Sequence, residues 1–119
     1  MSIAASLVVA LIALLHVYIL VLEMFLWEKP AGLRVFGNTP EKAKMMRVLA
    51  ANQGLYNGFL AAGLFWGLSL GAAGTGVKTF FLACVLVAGL YGAASTGSRR
   101  ILLIQAAPAV VGLALLLLS

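Results

Sequence analysis

The sequence predicts an all-α fold: a single polytopic domain, residues 1–119, whose four helices cross a bilayer as a transmembrane four-helix bundle. Three observations predict it. Of 119 residues, 64% are hydrophobic and 9% charged, a charge supply too small to clothe a soluble domain of this size; the mean hydropathy is +1.13. Four apolar stretches, residues 3–27, 45–70, 77–95 and 100–118, approach the ~20 residues that a spanning helix needs. Between them lie breaks rich in Gly, Pro and polar residues. With no water in hydrocarbon to satisfy bare backbone groups, the spans must be closed helices.

The first span opens without the basic segment of a secretory signal and runs past signal length, so it reads as a retained helix. It carries His16 and Glu23. The linker of residues 28–44 is polar and holds Pro30, Gly32, Gly37 and Pro40. Within it, Leu33-Arg34-Val35-Phe36-Gly37 mixes apolar and basic residues and is expected to lie along the membrane surface. The second helix is expected to begin before it meets lipid: Thr39 can cap it, Pro40 suits its first position and Glu41 complements its dipole. Residues 71–76 and 96–98 are minimal turns. The fourth helix carries Gln105, followed by Pro108. Gly54 with Gly58, Gly63 with Gly67, and Gly89 with Gly92 predict close helix packing, and these glycine-rich faces also suit a homo-oligomer.

Basic residues set the orientation. Lys29, Arg34, Lys42, Lys44 and Arg47 flank or occupy the first linker and Arg99 and Arg100 the third, against Lys78 alone in the second and none at the termini. Seven against one makes loops 28–44 and 96–99 cytoplasmic and both termini non-cytoplasmic. Placed this way, the basic residues form no binding face for nucleic acid. The partner they imply is the lipid bilayer. Cys84, the one cysteine, can form no internal disulfide and reads as a small buried hydrophobe. No Cys/His spacing suggests a metal site, and no motif suggests a cofactor.

The polar residues inside the spans carry the functional expectation. His16 and Glu23 are seven residues apart, so they share a face with about 10 Å of rise between them. On the second helix Asn52, Gln53, Tyr56 and Asn57 fall on one stripe, about 10–18 Å from the cytoplasmic edge. Gln105 lies about 9 Å from that edge on the fourth helix. Together Glu23, His16, Asn52, Gln53, Tyr56, Asn57 and Gln105 are expected to line a pocket open to the cytoplasm. Asn and Gln in spans often only bond neighbouring helices, whereas a carboxylate there marks a site by default. The pocket suits binding or transport of a small amphiphilic molecule, with Glu23 as counter-charge or proton carrier. An intramembrane enzyme on a lipophilic substrate, with His16 or Glu23 as base and Tyr56 as donor, is the alternative; no nucleophile–base pair or nucleotide motif supports it. A structural or accessory subunit, its polar groups serving helix packing alone, is the third.

The runs Leu22-Glu23-Met24-Phe25-Leu26-Trp27, Val35-Phe36-Gly37 and Ala51-Asn52-Gln53-Gly54-Leu55-Tyr56-Asn57-Gly58-Phe59-Leu60-Ala61-Ala62-Gly63-Leu64 resemble the DUF1304 family of small four-helix bacterial membrane proteins. The resemblance covers nearly the whole chain and implies the bacterial inner membrane. It implies no activity and no catalytic residue. Small multidrug-resistance transporters share the length and a first-helix glutamate, but the loop charge bias and the rest of that helix depart from them. The membrane-associated eicosanoid and glutathione enzymes share four helices and a polar second helix, but the spacing of Arg47 and Asn52 does not match theirs.

Overall fold

The computed structural model describes residues 2–119, which are helical nearly throughout and include no strand. Five helices follow in order: α1 (Ile3–Met24), α2 (Pro30–Phe36), α3 (Pro40–Ser69), α4 (Thr75–Thr96) and α5 (Arg99–Leu117), with a 3₁₀ turn at Gly71–Gly74. The four-helix expectation therefore gains a short fifth helix. Among the described residues, α1, the stretch Gly71–Thr96 and α5 are long and apolar enough to cross a membrane. At 30 residues α3 is the longest helix, but Asn52, Gln53 and Asn57 dilute its apolar character, and it does not join those three.

The chain clusters into two compact units, one of Leu14–Ala61 and one of residues 2–13 with Ala62–Ser119. Met1 lies outside the described residues. Both α1 and α3 contribute to each unit.

In the unit of Leu14–Ala61, α1 stops earlier than its apolar run. The N–H groups of Phe25 and Leu26 both turn back to the Val21 carbonyl, at 3.0 and 3.1 Å, and the residue before Pro30 resists the helical region. Pro30 then opens α2 at the position where a missing N–H costs nothing. Gly37, in the left-handed region at φ 65°, closes α2 by donating to Leu33 O. Trp27, placed by the sequence in the first span, instead sits in the turn. Its Nε1–H donates to Ala43 O at 2.8 Å, and its ring meets Phe36 at 5.0 Å. Thr39 Oγ1 accepts the Lys42 N–H at 3.2 Å, the N-cap that the sequence anticipates for α3.

In the other unit, Lys78, Leu82, Val85 and Gly89 form the buried face of α4. The close approach of α4 to α5 depends on Gly89, where a Cβ would stand 2.8 Å from Ala106 N. Gly97, at φ 71°, caps α4 with its N–H on Ala93 O at 2.8 Å. The helix α5 widens over Leu102–Ala106 into a π turn, with Ala107 N–H reaching back to Leu102 O. Pro108 explains the widening, since its ring crowds the carbonyl four residues earlier and it donates no hydrogen bond. Lys78, expected as a loop charge, is fully buried in α4; its Nζ donates to Gly71 O at 3.2 Å. The long stem packs against Gly67, and the ammonium meets a carbonyl just beyond the end of α3.

Candidate functional site

Six of the seven expected site residues belong to the unit of Leu14–Ala61, and the structure divides them sharply. Glu23 and Asn57 come together. Asn57 Nδ2 donates to Glu23 Oε1 at 2.7 Å, and the two residues are 8% and 5% exposed. The same amide also donates to the Gln53 carbonyl at 3.2 Å. Among the described residues no donor bonds the other carboxyl oxygen of Glu23. His16 is fully buried on α1, two turns before Glu23.

The backbone explains how a carboxyl on α1 reaches an amide on α3. Gly54 lies one turn before Asn57 and faces the end of α1. A Cβ there would come within 2.7 Å of Met24 Cγ and 3.1 Å of Glu23 Cβ. Gly58 similarly receives the Leu20 side chain. The glycine pair expected to dock a neighbour is thus covered by this chain's own first helix, as small-xxx-small faces allow. In the other unit Gly63 and Gly67 are covered likewise, by Phe81 and Lys78.

The remaining stripe residues do not converge. Asn52 is exposed and bonds back to Val48 O at 3.1 Å. Gln53 is exposed, and Tyr56 is 53% exposed with its ring against Phe59. At 100° per residue Asn57 stands at one edge of the stripe, with Gln53, Tyr56 and Asn52 about 40°, 100° and 140° away from it, so burying the Asn57 edge leaves the other three outward. Gln105 belongs to the other unit, half-buried in the π turn of α5 beside Gly89.

An open recess of about 590 Å³ is lined by Glu23, Ala51 and Asn52, with Trp27, Glu28 and Arg47 among its other lining residues. Trp27, Glu28 and Arg47 are additions to the seven site residues expected from the sequence. The Arg47 guanidinium stands 3.7 Å from Glu28 Oε1, with side chains 61% and 41% exposed. Opposite charges flanking the first linker were the available signal. Among the described residues no three His, Cys, Asp or Glu side chains gather as a metal set requires. Chemically, the recess is lined by a buried acid, an exposed ion pair and apolar side chains.

The chain belongs to the DUF1304 family, described as a protein of unknown function, which matches residues 10–117. It is similar to the uncharacterized protein YpaA of Lactococcus lactis subsp. lactis (strain IL1403), at 30% identity over 115 residues, covering 95% of this chain and 96% of that protein. No solved structure matches it.

Proposed function

We propose that this protein is an integral protein of the bacterial inner membrane in which α1, α3, α4 and α5 all cross the bilayer, and that the recess at Glu23 binds a small amphiphilic molecule reached from the cytoplasm. The observation that carries this reading is Glu23 itself, 8% exposed, bonded through one oxygen to Asn57 and lining the recess with the other oxygen unbonded. A buried carboxyl is costly in a membrane span and marks a site by default. The recess volume falls in the usual range of small-molecule sites, ~300–1,000 Å³. The apolar surface supports membrane residence: Leu7, Leu11, Val48, Leu49, Val87 and Leu103 are all more than half exposed, a surface that water disfavours and lipid accepts. The seven-to-one basic bias supports cytoplasmic loops at 28–44 and 96–99, and hence a cytoplasmic mouth. Transport by so short a chain would call for a homo-oligomer. Its contact would lie outside Gly54, Gly58, Gly63 and Gly67, which this chain already covers.

Trp27 supplies the test, because it lines the recess. In a Trp66→Phe background reconstituted in phosphatidylcholine nanodiscs, a brominated alkylamine should quench Trp27 fluorescence saturably. Glu23→Gln should weaken that quenching about tenfold, the scale of one hydrogen bond to a charged group. Quenching that rises only linearly with ligand and is indifferent to Glu23→Gln would refute binding at this site.

A further inference from the structure

The charges around the recess say more about its ligand than Glu23 alone. Glu23 and Glu28 are answered by Lys29 and Arg47, so the formal charges of the lining cancel. A simple cation can pair with Glu23 alone, whereas a ligand carrying both signs can also pair with Arg47 and Lys29. The signs are also layered. The acid that is 8% exposed lies innermost, and the guanidinium whose side chain is 61% exposed stands at the rim.

On these grounds, and resting on the binding role proposed above, we infer that the recess takes a zwitterionic phosphoethanolamine headgroup, its primary ammonium on the unbonded oxygen of Glu23 and its phosphate on Arg47 and Lys29. The ammonium must be one that donates. Glu23 already accepts an N–H from Asn57 on one oxygen, and the other is an acceptor of the same kind. A quaternary ammonium has no proton to give and relies instead on a cage of aromatic faces. Here the recess has two aromatic rings, Phe25 and Trp27, and Phe25 is 66% exposed. The anionic half suits phosphate, because a guanidinium fork binds its oxygens in pairs and a neighbouring lysine adds a second charge. Arg47 is available for this. At 3.7 Å its contact with Glu28 is longer than a charge-assisted hydrogen bond, and both groups are well exposed. The apolar wall, which includes Met24, Val48 and Ala51, suits the glycerol and first methylenes of a lipid behind the headgroup.

The experiment compares phospholipids brominated on their acyl chains as quenchers of Trp27, in the Trp66→Phe protein, each diluted into phosphatidylcholine nanodiscs. Phosphatidylethanolamine should be preferred about tenfold over phosphatidylcholine and over phosphatidylglycerol, one charge-assisted contact being missing in each comparison. Glu23→Gln should erase the preference over phosphatidylcholine. Arg47→Gln should weaken phosphatidylethanolamine and phosphatidylglycerol alike, and because that side chain is exposed the variant keeps the fold against which Glu23→Gln is judged. Soluble phosphoethanolamine that competes at millimolar concentration would identify the free metabolite as the source, and failure to compete would identify the lipid; either agrees with the inference if the preference holds. Equal quenching by all three lipids overturns it. If the brominated alkylamine still binds through Glu23 in that case, the binding role stands without the zwitterion; if it does not, both fall.

Discussion

Removing the buried contact between Asn57 and Glu23 should destabilise the unit of Leu14–Ala61 by an amount that a double-mutant cycle can isolate. The bond is short, 2.7 Å, and both residues are more than nine-tenths buried. Asn57→Leu keeps the volume but strips the carboxyl of its donor. Leaving a buried polar group unmet costs ~1–3 kcal/mol in soluble proteins, while interhelical bonds in membranes average ~0.6 and reach ~2 kcal/mol. Burial this complete and a carboxyl acceptor place the expected coupling at about 1–2 kcal/mol. Asn57→Leu also loses the second bond, to Gln53 O, but that loss occurs both in the single variant and in Glu23→Leu/Asn57→Leu, and so cancels from the cycle. Unfolding by sodium dodecyl sulfate in mixed micelles, followed by far-ultraviolet circular dichroism, reads the four stabilities. Glu23→Gln serves as the control, since its side-chain oxygen can still accept from Asn57. Effects of Glu23→Leu and Asn57→Leu that simply add, within about 0.3–0.5 kcal/mol, would refute the contact.

Two further predictions concern glycine and lysine. Gly54→Val forces branched atoms into Met24 and Glu23, where even a Cβ would stand 2.7 and 3.1 Å away; it should cost about 1–3 kcal/mol and abolish the coupling between positions 23 and 57, whereas Gly54→Ala should cost less because the Met24 side chain can yield. Lys78→Ala should destabilise by about 2 kcal/mol or more through the cavity left by its stem, and Lys78→Met, which keeps the stem and loses the ammonium with its bond to Gly71 O, should cost less, about 1 kcal/mol; the same denaturation assay checks both, and equal losses would contradict a role for the buried stem.

The helices were legible from composition because hydropathy reports them directly. The spans at 77–95 and 100–118 fall within two residues of Thr75–Thr96 and Arg99–Leu117, and Thr39-Pro40-Glu41 announced the start of α3 through its capping chemistry. The end of α1 was not legible. Phe25, Leu26 and Trp27 are apolar enough to continue a span, and only the backbone turn onto Val21 O ends it. Nor was the π turn, since Pro108 signals a disturbance but not which carbonyls take it up. At the site, Glu23 and Asn57 were each legible as polar groups inside spans, but their pairing was not, because residue counting sets Asn57 nearer the level of His16 than of Glu23. The stripe misled away from its Asn57 edge, for Gln53 and Tyr56 share an arc with Asn57 yet lie exposed. Periodicity gives the direction of a side chain from its own helix, and the width of the neighbour decides which directions are covered.

The most direct test of the central claim, a Glu23 recess open to the cytoplasm, is thiol labelling of Asn52→Cys, a recess-lining position, in a Cys84→Ala background. A membrane-impermeant methanethiosulfonate should modify it rapidly in inverted inner-membrane vesicles and not in right-side-out spheroplasts, while Ser119→Cys shows the reverse. Labelling of Asn52→Cys only from the outside, or from neither side, would contradict the account.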